Sequence, residues 1–441
     1  MRFPTSERGH LPRSPRLVSL AAAVVLLVAA CGSSTTSPSP APSAAPSAAP
    51  STAPSGAAPS PAGSDDIAAT YSRIEQQVIA IRELQPTRPV TPTVLDDAGI
   101  KKLVADSFDK DNPPALIAAN ERIMKALGLL PADASLKDLY VTLLGSQVAG
   151  LYNPDDKRLY VVSKSGRIGA VEKTTFSHEF THALQDQNFD LSSLRLDEIG
   201  QGDRSFARLS LVEGDATLSM TYWQLQNLTQ ADLGELLSAA QDDPSTRQLE
   251  SMPPILRESL LFPYSQGLGF VQGLQNRGGW AAVNEAFAKP PASTEQILHP
   301  DKYTAGEQPV AVELPKDLAT KLGAGWTSQL EDSFGEFQLG VWLQQGSGLS
   351  AVEAKSAAAG WGGDRISALE GPDGSWAVVL RTAWDTAQDA TEFERAASPI
   401  VDGLQGSASL LPGAGDTERW VLVASDDAAL NRVAGVLGLA G

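Results

Sequence analysis

Apolar residues recur at spacings of three and four from Ile67 through Tyr71, Ile74 and Val78 to Ile81, so folded sequence is expected to begin near residue 65 with an amphipathic helix. Further helices are expected near residues 95–109, 114–127 and 135–145. The period then changes. Residues 148–152 and 158–163 read as two strands joined by the turn Asn153-Pro154-Asp155-Asp156. Two helical runs follow, near 172–187 and 204–223; in the second, Phe206, Leu209, Val212, Ala216, Met220 and Trp223 form an apolar stripe. Towards the C-terminus the pattern predicts a tight turn at 360–365, a strand over 366–369, a turn at 371–374 and a strand over 376–382. A helix near 387–404, a strand near 420–424 and a last helix to Leu437 complete the reading. The fold class expected is α+β: a mainly helical domain over 65–310 with a short strand hairpin, and a small α+β unit over 311–441.

The first 64 residues follow a different rule. Arg2, Arg8, Arg13 and Arg16 precede an uncharged apolar stretch over 17–30, the layout of a secretory signal, and too short for the roughly 20 residues a membrane-spanning helix needs. The stretch ends in Val28-Ala29-Ala30-Cys31, which looks like a bacterial lipobox, with small residues for the signal peptidase and the Cys31 thiol as lipid acceptor. Cys31 is the single cysteine, so the exported domain would have no disulfide and would rely on packing and a metal. Residues 32–64 contain only Gly, Ser, Thr, Pro and Ala, which cannot bury a core. They read as a spacer from the lipid anchor, reaching about 100 Å at roughly 3 Å per residue if fully extended. The expected location is the outer face of a bacterial cell membrane.

With 42% hydrophobic and 20% charged residues in 441, the remainder can bury a sizeable core. The formal net charge is −18, and loss of residues 1–30, which hold four arginines and one glutamate, would make it −21. A chain so acidic repels nucleic acid, which is not an expected partner.

Histidine is scarce, which sharpens the candidate chemistry. Of the four in the chain, His10 would leave with the signal, and His178 and His182 form the HExxH motif His178-Glu179-Phe180-Thr181-His182. Residues four apart share a helix face, so both imidazoles can reach one cation while Glu179 projects beside them toward a water on it. The bland alternative is a pair of solvent-facing helix histidines. A catalytic zinc site normally has three protein ligands and one open position. The third ligand is either His299, the remaining histidine, or a carboxylate, and the best carboxylate is Glu213 on the apolar stripe of the second helix. An ionised carboxylate on such a face needs a partner, which could instead be a cation such as Arg208. Gly214, a poor helix former, fits a place where two backbones or a metal site come close. Asp186 and Asp215 are candidates to accept an imidazole hydrogen bond and orient a ligand. The glycine-rich 360–365 stretch is assigned a structural role.

The segment HEFTHALQD at 178–186 resembles the zinc-binding helix of thermolysin-like gluzincins, and Val212-Glu213-Gly214-Asp215-Ala216 resembles their downstream glutamate helix. Together with 290–300 and 360–365, these segments resemble a group of uncharacterised bacterial lipoproteins of metallopeptidase type, a likeness spanning most of 66–400 that brings no substrate with it. The gluzincin resemblance implies one Zn2+ held by His178, His182 and Glu213, with Glu179 as general base and then acid in peptide hydrolysis. It also implies a donor for the oxyanion. His299 is the first candidate by chain order and Tyr264 the second, and His299 could alternatively be a fourth ligand. The expected function is a lipid-anchored zinc metallopeptidase acting on peptides or proteins. Two other readings stay open: a non-catalytic lipoprotein on the same scaffold, and a zinc hydrolase of non-peptide envelope amides.

Overall fold

A computed structural model describes residues 64–162, 168–242 and 244–439. The signal, Cys31 and the spacer lie outside these residues. The fold is α+β. Helix α1 (Ser64–Arg82) buries Tyr71, Ile74 and Val78 on one stripe, and after it a short strand β1 (Pro92–Leu95) leads into α2 (Asp97–Asp111), α3 (Pro114–Ala126) and α4 (Leu136–Gln147). The helix starts carry the expected chemistry: Asp96 accepts the Gly99 N–H at α2, Pro114 opens α3, and Ser135 caps α4.

Strands β2 (Gly150–Asn153) and β3 (Arg158–Val162) form the expected hairpin, and β1 pairs parallel to β3, giving the order β1-β3-β2. The hairpin begins at Gly150 rather than 148, because Val148 closes α4 by donating its N–H to Leu144. Next come α5 (Ala170–Phe189) and α6 (Gly202–Asn227), each longer at both ends than the sequence pattern indicates. Then follow α7 (Gln230–Asp242), α8 (Pro244–Glu250) and the long α9 (Pro254–Ala288), which carries Pro263 and breaks at Gly278-Gly279. Helices α6 and α9 touch through their backbones. A Cβ on Gly214 would lie 2.2 Å from the Gly267 carbonyl oxygen, and one on Gly267 would lie 2.2 Å from that of Ser210. The glycine marks a backbone crossing, and that crossing fixes the depth at which α6 presents Glu213.

Short helices α10 (Thr294–Leu298), α11 (Pro300–Ala305) and α12 (Leu318–Leu322) lead to strand β4 (Thr327–Asp332), helices α13 (Gly335–Ser347) and α14 (Ala351–Ala358), and strands β5 (Trp361–Glu370) and β6 (Trp376–Trp384). Helix α15 (Ala387–Asp402), strands β7 (Ser407–Pro412) and β8 (Glu418–Ala424), and helix α16 (Asp427–Leu437) finish the chain. The five strands form an antiparallel sheet in the order β4-β5-β6-β8-β7. Alternate residues serve two cores: Ile366, Ala368, Val378, Leu380, Val421 and Val423 face the helices of the N-terminal part, whereas Leu369, Val379 and Leu422 face α12 and α16. The first core runs without interruption across residue 310, joining α3, α6 and α9 to α13 and α15. Residues 360–365 are not a tight turn. They open β5 with a bulge, and Asp364 accepts the Phe334 and Gly335 N–H groups that start α13 and the Trp361 indole N–H. Among the described residues no helix is long and apolar enough to cross a membrane.

Candidate metal centre

Every residue of α5 from Thr174 to Asp186 is buried, polar ones included. A helix buried all round with polar side chains must satisfy them internally or hold a ligand. On its face towards α6, the Nε2 atoms of His178 and His182 stand 3.0 Å apart, and Glu213 Oε2 lies 3.2 Å from the first and 3.4 Å from the second. Donors at about 2.0–2.1 Å from one tetrahedral ion lie about 3.3–3.4 Å from each other. The three atoms therefore outline one face of a zinc-sized tetrahedron, with two imidazole nitrogens and a carboxylate oxygen as a fitting donor set. Glu213 Oε1 and His178 Nδ1 are buried without a hydrogen-bond partner. Arg208 is not the partner of Glu213; its guanidinium donates to the Leu194 carbonyl.

The three groups set one another's charge. Burial pushes the Glu213 carboxyl up, but the two imidazoles outweigh it and hold the group at about 2. Burial lowers His178. For His182 burial acts in the same sense, and the Glu213 and Glu179 charges overcome it, raising the group to about 9.

What orients His182 is not an aspartate. Its Nδ1 lies 2.8 Å from Gln185 Oε1, an amide oxygen that can only accept, so Nδ1 carries a proton and Nε2 is the nitrogen that would offer its lone pair to a cation once the ring is neutral. Gln185 is itself locked, because its Nε2 donates to the Val212 carbonyl at 2.9 Å and to Asp215 Oδ2 at 2.8 Å. Asp215 then accepts from Arg82 Nε at 2.6 Å, both fully buried, and Arg82 also donates to Asn284 and lies over the Trp280 ring. Asp215 thus reaches His182 only through Gln185. Asp186 points the other way and accepts from Tyr152 Oη at 2.8 Å, Lys157 Nζ at 2.9 Å and Arg88 at 3.2 Å.

Glu179 is fully buried, and its Oε2 accepts the Tyr152 N–H at 2.6 Å. Strand β2 is pressed onto α5 at this point: a Cβ on Gly150 would come within 2.5 Å of Thr175 Cγ2 and 3.2 Å of Glu179 Cγ. The hairpin that precedes the motif helix therefore supplies the donor that aims the carboxylate.

The two oxyanion candidates part company. The Tyr264 ring, on α9, lies with its centroid 6.1 Å from that of His178. His299 is not brought to the cluster; its Nε2 lies 2.8 Å from Glu336 Oε1 on α13, and this hydrogen bond raises its pKa. It sits at the C-terminal end of α10, with the whole of α9 between it and α6, and faces α13.

Sequence reasoning missed Gln185 and Arg82. Both carried a signal: Gln185 follows His182 by three residues on the same helix face, and Arg82 continues the buried stripe of Ile74 and Val78 at the next turn. His178, Glu179, His182 and Glu213 are each 0–1% exposed, so the centre is closed in this conformation. A family model described as a domain of unknown function (DUF8575) matches residues 323–435, the part that forms β4 to α16, and does not reach the metal cluster. No curated protein and no solved structure matches the chain.

Proposed function

We propose that the protein is a zinc-dependent hydrolase of peptide bonds, of gluzincin type, held outside a bacterial membrane by lipid on Cys31. The observation that carries this reading is the convergence of His178 Nε2, His182 Nε2 and Glu213 Oε2 at 3.0–3.4 Å with Glu179 buried next to them. Zinc, when bound, supplies the Lewis acidity that makes a water acidic near neutral pH. Glu179 takes the proton of the attacking water and passes it to the departing amine, with Tyr152 N–H holding Oε2 so that the carboxylate keeps its aim. Gln185 keeps the proton of His182 on Nδ1. Tyr264 is the better placed of the two candidate oxyanion donors, since it stands against the His178 ring while His299 is engaged by Glu336.

The burial of all four side chains favours a second reading, a closed zinc centre on a non-catalytic lipoprotein. Glu179→Gln separates the two. For a hydrolase, zinc content by elemental analysis stays the same while cleavage of a diverse peptide library falls by about 1,000-fold or more, roughly 4 kcal/mol of transition-state stabilisation. A wild-type protein that holds zinc and cleaves nothing, neither peptides nor envelope amides, would favour the closed centre.

A further inference from the structure

Glu179 and Asp186 are seven residues apart on α5, close to two turns, so they stand in line on one helix face, separated by about 10 Å of rise. One residue of β2 meets both. The Tyr152 N–H donates to Glu179 Oε2 at 2.6 Å, and the Tyr152 phenol donates to Asp186 Oδ2 at 2.8 Å. Burial and the Asp186 carboxylate both raise the pKa of that phenol, which therefore keeps its proton and stays the donor.

The Asp186 end of this span is built to hold still. Its side chain is fully buried, and a buried carboxylate needs partners. Two cations from different segments supply them, with Lys157 Nζ 2.8 Å and Arg88 Nη2 3.2 Å from Asp186 Oδ2. Lys157 ends the hairpin loop in the left-handed region, at φ 60°, a conformation that favours glycine. A lysine keeps such a conformation only where its surroundings hold it, and here its ammonium grips Asp186. Arg88 is set in place by the neighbour of Asp186, since Gln187 Oε1 accepts the Thr87 and Arg88 N–H groups at 2.6 and 2.9 Å. None of the bonds that Asp186 makes goes to a metal ligand, whereas Asp215 reaches His182 through Gln185.

We propose that Asp186 is a positioning residue for Glu179, acting through Tyr152: it fixes the strand whose N–H aims the carboxylate and leaves the metal ligands alone. The two aspartates divide their tasks, Asp215 serving the metal cluster through His182 and Asp186 serving Glu179 through the hairpin. The effect on turnover rests on the hydrolase reading; the effect on the Tyr152–Glu179 contact does not.

Two measurements on the full-length protein test it, and the first needs neither zinc nor activity. With the seven tyrosines labelled with nitrogen-15, the Tyr152 amide signal in the NMR spectrum is identified by its loss in Tyr152→Phe. It should move upfield in Glu179→Gln, which takes the charge from its acceptor. Asp186→Asn leaves that acceptor in place, yet should move the signal in the same direction. The second measurement is kinetic. Asp186→Asn should lower kcat for peptide cleavage by about 10-fold or more with KM changed less than about 2-fold and zinc affinity unaltered, whereas Asp215→Asn should weaken zinc binding. If Asp186→Asn does not fold, Asp186→Glu carries both measurements, because it keeps the charge for Lys157 and Arg88 but displaces the acceptor from the phenol. A Tyr152 signal unmoved by the Asp186 variant would overturn the proposal. So would a loss of zinc affinity equal to that in Asp215→Asn, or an unaltered kcat where the wild type is active. If the wild type cleaves nothing while the signal moves as expected, the hydrolase reading fails and the positioning of Glu179 by Asp186 stands.

Discussion

Two regions of the molecule concentrate buried or half-buried charge around histidine, and they resolve it in opposite ways. Around α10 and α13, Glu295, Glu307 and Asp385 lie close enough together to hold an ion, but the Lys302 ammonium stands 2.6–2.8 Å from all three, and His299 is matched by Glu336. Nearby, Asp203 takes the Thr294 N–H and hydroxyl, and Asp364 takes two backbone N–H groups and an indole. At the His178–His182–Glu213 cluster of α5 and α6, among the described residues, no lysine or arginine pairs with Glu213, and Arg82 goes to Asp215 instead. Two imidazole nitrogens and a carboxylate oxygen face one another, and Glu213 Oε1 has no partner. Buried charge alone therefore does not mark a functional site; what separates the two regions is whether the protein itself supplies the counter-charge.

The largest effect expected outside the ligands is at Gln185. Gln185→Leu keeps the volume but removes the acceptor from His182 Nδ1 and leaves Asp215 one donor short, so zinc affinity should fall by about 10–100-fold, with a conservative Gln185→Asn falling less. Competition with a chromophoric chelator measures this; an affinity unaltered by both variants would mean that the relay from Arg82 to His182 is only packing.

A smaller and opposite effect belongs to the acid side. Burial pushes the Asp203 carboxyl up to about 8 and Asp364 to about 6, so the folded protein keeps protons that the unfolded chain releases near pH 4. Their contribution to stability is fully present below about pH 4 and is lost as pH rises towards 8. Asp203→Asn should flatten the fall of Tm between pH 5 and 8 and leave zinc binding alone. A Tm slope identical to wild type would contradict the assignment.

Much of the metal side was legible in the sequence because its signals are periodic. The four-residue interval of His178 and His182 survives directly as a 3.0 Å approach of their Nε2 atoms, and Glu213 stood out as a carboxylate on an apolar stripe. The hairpin was legible from its turn residues. Edge strands were not: β1 exposes Val94, β4 buries only Leu330, and β7 has no fully buried residue, so none shows the alternation of a half-buried strand. His299 was offered on chain order, which says nothing about which way a ring turns; at the end of α10 it meets Glu336. Gln185 was hidden by the assumption that a carboxylate must orient the histidine; an amide does so here because its other end is clamped by a carbonyl and a carboxylate.

The central claim is that the protein leaves its counter-charge at α5 and α6 to a zinc ion. Zinc titration of the metal-free full-length chain, with content checked by elemental analysis, tests it most directly beside Glu213→Ala. The account expects about one zinc per wild-type chain and an affinity at least about 100-fold weaker in the variant. A wild type that binds no zinc, or a variant that binds it equally well, would contradict it.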